Sequence, residues 1–223
     1  MKSFISEDDI EQAICNRLSL PEYGWKRIEC DARVEAQDDV STTGRANPSE
    51  CILPDVFLAA LKRLNPQVEE GVLQGILRNF RKDYTATDMV ETNYKLYNQL
   101  RNGIKKPVRK NGKEDFDIVR LIDFDHPERN DFHCVNQMWI KGHYRYRRPD
   151  VLLFVNGLPV VFIELKNSTV KVEESYNKNL TSYRKDIPNI FSFNQICVLS
   201  NGLQTKIGAW NGRYALIFEW RRV

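Results

Sequence analysis

Residues 148–167 read RPDVLLFVNGLPVVFIELKN, and the parsing of this stretch decides the fold. Two apolar runs flank Asn156-Gly157, the dipeptide that most favours a two-residue hairpin turn. Asp150 opens the first run, and Glu164 and Lys166 close the second. Glu164 and Lys166 are two residues apart, so on a strand they point to the same side. If the runs pair antiparallel, Asp150 lies close to Glu164. Two carboxylates and an ammonium then converge at one end of a hairpin, a set that can hold a divalent metal and polarise a phosphodiester. The runs are nearly continuous in apolar residues. Strands of that kind are buried on both faces, which predicts helices covering a sheet. The expected class is therefore α/β, with a central mixed β-sheet flanked by helices.

Length and charge bound the alternatives. A chain of 223 residues can bury a sizeable core, and one large domain with a helical insertion is favoured over two equal halves. The formal net charge of +3 permits a nucleic-acid partner only through a local basic surface. The five cysteines are dispersed and include no CxxC pair, so neither a disulfide framework nor a clustered zinc site is indicated. The N-terminus, MKSFISEDDIEQ, carries charges where a signal peptide needs its apolar core. No run approaches the roughly 20 apolar residues that cross a bilayer. The expectation is a cytoplasmic protein with no membrane partner.

Working outward, Ser6-Glu7-Asp8-Asp9 supplies a cap and first-turn acids for a helix carrying Ile10, Ile14 and Leu18. Glu11 lies near the polar edge of that helix. Residues 36–50 read as a long loop rich in turn formers. From Pro54 to about Arg101 the pattern is helical, giving an insertion over about 51–105 closed by Asn102-Gly103. Phe116 to Phe124 and Phe132 to Ile140 are candidate strands. A helix is expected over Lys171 to Arg184 with the stripe Val172, Tyr176, Leu180 and Tyr183. An inner strand at Gln195 to Leu199 follows, ended by Asn201-Gly202, with short elements at Lys206–Trp210 and Tyr214–Trp220.

The chemistry follows from charge development. In-line attack of water on a phosphodiester builds charge on the attacking, leaving and non-bridging oxygens. A Mg2+ ion held by carboxylates stabilises that charge and lowers the pKa of bound water. Asp150 and Glu164 would supply ligand oxygens, and the main-chain carbonyl of Leu165 a further one. Lys166 would orient the water or stabilise the developing charge. Lys141, Arg145, Arg147 and Arg148, interleaved with Tyr144 and Tyr146, form a basic run just before Asp150. Such side chains position a duplex through its phosphates without reading sequence. His126, His133 and His143 lack metal-ligand spacing. No GxxxxGK[ST] occurs, so the chain has no recognisable nucleotide-hydrolysing loop.

Asp150, 13 intervening residues and then Glu-x-Lys resembles the core motif of the PD-(D/E)xK nuclease superfamily. The longer string, with Asn156-Gly157-Leu158-Pro159 and Ile163-Glu164-Leu165-Lys166-Asn167, is similar to the N-terminal nuclease domain of type I restriction enzyme R subunits. The resemblance runs from Glu11 and Gly24-Trp25 to Leu199-Ser200-Asn201-Gly202 and is weakest in the helical zone. It implies a restriction-endonuclease-like fold across 1–223, in a fragment of a longer subunit or a free-standing relative. It implies Asp150, Glu164 and Lys166 as catalytic residues, joined by a glutamate of the first helix, for which Glu11 is the best positional match and Glu7 the second. It also implies a Gln-x-x-x-Tyr motif at Asn179 and Tyr183, a DNA-binding pair that would position the substrate strand or the DNA-facing helix; Asn179 departs from the family glutamine. Mg2+ is the implied cofactor, with Mn2+ as substitute. ATP would serve motor domains outside this chain. Duplex DNA and methylation and specificity subunits are the implied partners. Two rival readings remain from the residues: a non-catalytic DNA-binding or assembly domain, and a stand-alone repair or mobile-element nuclease.

Overall fold

A computed structural model describes residues 4–110 and 113–221. The first helix, α1 (Glu7–Leu18), begins at Ser6. The Ser6 hydroxyl accepts from the Asp9 N–H, and the Asp9 carboxylate accepts from the Ser6 N–H, so two orphan donors are satisfied reciprocally. Strand β1 (Lys26–Glu29) follows, and then a loop holding two 3-10 turns. Three helices form the insertion: α2 (Pro54–Leu64), α3 (Glu70–Phe80) and α4 (Met89–Asn102). Next come β2 (Ile104–Lys110), β3 (Lys113–Val119), β4 (Phe132–Asn136), β5 (Ile140–Lys141) and β6 (Tyr146–Arg147). The quoted stretch folds as β7 (Val151–Val155) and β8 (Leu158–Leu165). A composite helix, α5, runs through an α turn (Val172–Glu174), a π segment (Ser175–Leu180) and an α segment (Thr181–Asp186). Strands β9 (Ile196–Ser200), β10 (Thr205–Gly208) and β11 (Phe218–Glu219) complete the chain.

Seven strands form one mixed sheet in the order β1-β4-β7-β8-β9-β10-β11. The pairs β1–β4 and β8–β9 are parallel, and the other neighbours are antiparallel. The parallel β8–β9 pair is joined through α5, the crossover that a parallel pair requires. Both faces of the sheet are covered. On one face Leu152, Phe154 and Phe162 pack with Leu180 and Tyr183 of α5 and with Phe191. On the other, Val151, Leu153, Ile163 and Leu165 pack with Ile10 and Cys15 of α1. This explains why both central runs are apolar throughout: alternate residues feed two different cores. The α/β class and the flanked mixed sheet expected from the sequence are both present.

The β7–β8 turn is where the helical insertion docks. Asn156 and Gly157 adopt φ of 49° and 80°, the left-handed pair of a type I′ turn. Gly157 lies against the start of α2: its carbonyl accepts from the Leu53 N–H at 2.9 Å, and a Cβ there would come within 2.6 Å of the Leu53 oxygen. Phe57, Leu61, Leu73, Ile76, Phe80, Leu96 and Leu100 form the insertion's core with Leu158 and Phe193.

Two strand boundaries differ from the sequence expectation. The strand expected over Phe116–Phe124 ends at Val119, and it belongs to a separate two-stranded sheet with β2 rather than to the main one. The cause lies just beyond it: the Asn65 side chain accepts from the Arg120 N–H and donates to the Arg120 carbonyl, occupying the main-chain groups a longer strand would use. The strand expected over Phe132–Ile140 stops at Asn136, because Gln137 takes a left-handed φ of 60°. The cysteines form no disulfide; Cys15 and Cys134 face each other with Sγ atoms 3.4 Å apart.

Candidate active site

The hairpin register sets the site. Val151 pairs with Ile163, so Asp150, one residue earlier, lies across from Glu164, one residue later. The Asp150 carboxylate accepts from the Leu165 N–H at 2.7 Å, which fixes it against the end of β8. Strand alternation turns Glu164 to the α5 face, with Phe162, and there the Asn179 amide donates to its Oε1. Lys166 reaches back over the end of the strand. Its ammonium is 2.7 Å from the Leu165 carbonyl, 3.4 Å from Glu164 Oε1 and 3.7 Å from a Glu7 carboxylate oxygen of α1. Asp150, Glu164, Leu165 and Lys166 are thus brought together.

Burial makes this cluster electrostatically tense. Glu164 is 1% exposed, and burial, followed by the charge of Asp150, pushes its carboxyl up to about 8. Burial likewise pushes Asp150 up to about 6, against the pull of the Leu165 N–H and of Lys166. Tyr183 is also raised, by burial and then by the two carboxylates. One buried atom, Glu164 Oε2, has no hydrogen-bond partner. An orphaned acceptor beside a second carboxylate, both held above their ordinary pKa, is a donor set that fits a hard divalent cation. Asp150, Glu164 and the Leu165 carbonyl are the groups that would hold it. Among the described residues no group of three or more His, Cys, Asp or Glu side chains is arranged to hold a metal. Two carboxylates and a carbonyl still suit Mg2+, which keeps several waters and shares substrate phosphate oxygens.

Glu11 is nearby but engaged elsewhere. It is 4% exposed, and its carboxylate accepts from the side-chain amides of Asn136, at 2.8 Å, and of Gln137. Its charge contributes to raising Asp150. Tyr183 is buried beneath the site, and its hydroxyl donates to the Arg148 carbonyl at 3.1 Å. Asn179 contacts Glu164 directly.

The basic run divides. Arg147 is paired with Asp186 at the end of α5, its Nε 2.7 Å from the carboxylate. Arg148 donates to the Ala32 carbonyl and lies 5.2 Å over the Trp139 ring. Lys141 and Arg145 are exposed on the small β5–β6 hairpin, beside Tyr144, which is 95% exposed; the Lys141 ammonium lies 5.4 Å over the Tyr146 ring. Sequence reasoning did not single out Asn136 and Gln137. Their signal was present: two adjacent amides interrupt the apolar run FHCVNQMWI next to Asp150 in space.

The described residues include no helix long and apolar enough to cross a membrane. The family described as "Type I restriction enzyme R protein N terminus" matches residues 4–214. The chain is 30% identical over 224 residues to the type I restriction enzyme HindI endonuclease subunit of Haemophilus influenzae, covering 98% of this chain and 20% of that protein. It is 32% identical over 187 residues to a Methanocaldococcus jannaschii protein provisionally named as the MjaIXP endonuclease subunit of a type I restriction enzyme, covering 80% of this chain and 18% of that one. The chain therefore spans about a fifth of the length of these relatives. With a sheet that carries Asp150, Glu164 and Lys166 at one hairpin end, and a match along nearly its whole length, this chain belongs to the family of type I restriction enzyme R protein N termini.

Proposed function

We propose that this chain is the metal-dependent endonuclease domain of a type I restriction enzyme R subunit. It hydrolyses phosphodiester bonds of duplex DNA when coupled to an ATP-driven motor outside these residues. The observation that carries the reading is the buried Glu164, with one orphaned carboxylate oxygen, across the hairpin from Asp150 and beside the Lys166 ammonium. Buried like charges are unfavourable for folding alone. A site that binds a cation and a phosphate gives a reason for keeping them. The names of the relatives, which are endonuclease subunits of type I restriction enzymes, support the same reading.

Each residue then has a definite task. Mg2+, or Mn2+ in its place, supplies charge stabilisation and a more acidic water when bound. Asp150 and Glu164 would present carboxylate oxygens to it, and the Leu165 carbonyl, 2.7 Å from the Lys166 ammonium, would add a third. The Asp150 carboxylate is kept in orientation by the Leu165 N–H, and the Glu164 carboxylate by the Asn179 amide. The Lys166 ammonium stands where negative charge grows on the phosphate, so its attraction strengthens towards the transition state. Tyr183 ties α5 to the residue two before Asp150 and so fixes the floor of the site. Glu11 adds a fixed negative charge on the α1 side. Lys141 and Arg145 offer exposed cations to duplex phosphates, while Arg147 and Arg148 shape the wall that carries them. Methylation and specificity subunits are the partners, the cytoplasm the location, and ATP a ligand of the full-length subunit rather than of this chain.

The test compares the parent protein or complex with its Glu164→Ala form on duplex DNA, with and without Mg2+. Cleavage that needs Mg2+ and vanishes in the variant is the expected result. Equal cleavage by both forms would remove this site from the reaction. DNA binding without cleavage in the wild-type complex would favour a non-catalytic domain.

A further inference from the structure

Consecutive residues of an extended strand point to opposite faces of a sheet. Asn136, the last residue of β4, follows the alternation and faces α1, where its amide meets Glu11. Gln137 should then face α5. It does not: its φ of 60° breaks the alternation and brings a second amide to the same Glu11 carboxylate. A non-glycine residue at that φ is uncommon and strained, and such strain clusters at functional sites. The two amides bear a further cost. Their oxygens, Asn136 Oδ1 and Gln137 Oε1, are buried without a partner, because flipping either amide would set oxygen against carboxylate. The main chain of Gln137 is committed as well. Its N–H donates to the Asp150 carbonyl at 3.0 Å. One strained residue therefore grips Glu11 with its side chain and Asp150 with its backbone.

We propose that Gln137 is a positioning residue of the metal site, which fixes the Glu11 carboxylate relative to Asp150. The proposal rests on the reading that Asp150 and Glu164 hold a divalent cation. Glu11 does not act as a third ligand in this arrangement. It is a negative charge held at a set distance behind the ligand pair. A strained loop with two orphaned oxygens serves stability poorly, and its geometry is explained by the carboxylate it holds.

The test titrates Mn2+ into the chain with duplex DNA present, following the ion's paramagnetic resonance signal. Gln137→Ala should weaken Mn2+ binding on the order of tenfold, as expected for residues that orient a metal's surroundings. Gln137→Gly should weaken it as much, although glycine accepts the left-handed φ, and should leave the urea stability of the metal-free chain unchanged or raised. In a Glu11→Gln background, Gln137→Ala should have no further effect, since the residue acts through Glu11. Restoration of affinity by Gln137→Gly would show that the backbone alone mattered, and would overturn the proposal. A Gln137→Ala effect that persists in the Glu11→Gln background would overturn it too. Asp150→Asn is the separate control: unchanged Mn2+ affinity in that variant removes the metal reading itself, and this proposal with it.

Discussion

The two ends of the β7–β8 hairpin make an instructive pair. At the turn, Asn156 is 0% exposed and every polar group of its side chain is used: Nδ2 donates to the Leu121 carbonyl and to Asn130, and Oδ1 accepts from the Asp131 N–H. At the open end, 1%-exposed Glu164 leaves an oxygen unpartnered and two carboxyls are driven up in pKa. The same two strands thus join a fully satisfied polar hub to an unsatisfied charged one. A buried polar group that is fully partnered specifies structure. One that is not carries a cost, and the fold tolerates that cost at Glu164 because the other end is so firmly tied.

The contrast can be broken from either end, and the largest effect should come from chemistry. Lys166→Ala should cut cleavage by the assembled enzyme on the order of 1,000-fold, about 4 kcal/mol of barrier, while DNA affinity stays within a few-fold. Cleavage and filter binding on one preparation decide this. Normal cleavage would mean that the open end carries no catalysis. At the turn end, Gly157→Ala should leave the site's groups in place but cost stability, about 3 kcal/mol, from the strained φ and the clash with the Leu53 oxygen. A urea midpoint like the wild type's would show that the turn is not the anchor described.

Next in size is a gain. A carboxyl whose pKa is higher in the folded than in the unfolded chain keeps its proton longer when folded, so stability is full at low pH and falls as pH rises towards the folded value. For Glu164 that window runs from its ordinary 4.5 up to about 8, and for Asp150 from 3.8 up to about 6. Glu164→Gln should therefore match the wild type near pH 4 and exceed it by about 2 kcal/mol at pH 8 without metal. Urea melts across that range measure it, and an advantage that shrinks with rising pH would contradict the charge assignment. The smallest effect belongs to the rim. Arg145→Ala should lower the salt dependence of duplex binding by a slope of roughly one, the signature of one lost phosphate contact. Arg147→Ala, by freeing Asp186, should instead lower stability by about 1 kcal/mol. Equal salt slopes for wild type and Arg145→Ala would place the DNA elsewhere.

How much of the fold and site was legible in the sequence depends on the range of each interaction. The hairpin, its turn residues and the convergence of Asp150, Glu164 and Lys166 depend on period-two alternation over fewer than twenty residues, which a reader can count. The helix over 172–186 showed its stripe for the same reason. The end of β3 was hidden because it is set by Asn65, which reaches Arg120 from a distant helix. The partnership of Glu11 with Asn136 and Gln137 was hidden likewise, and so was the pairing of Arg147 with Asp186. In each case a side-chain contact across the fold, invisible to local pattern, assigned the residue its place.

The π segment of α5 has a consequence for how this site can change over generations. From Ser175 to Leu180 the turn is one residue wider than an α-helix, so the Thr181 N–H bonds back to the Tyr176 carbonyl, five residues away. Within this wide turn Asn179 meets Glu164, while Val172 ahead of it and Tyr183 behind it stay packed in the core. Loss of one residue here would restore a regular helix and leave the halves of α5 before and after it in phase, because the wide turn already absorbs the extra residue. A lineage can therefore change which residue meets Glu164 by a single-codon deletion within this turn, without repacking the core on either side or touching the strand that carries the carboxylate.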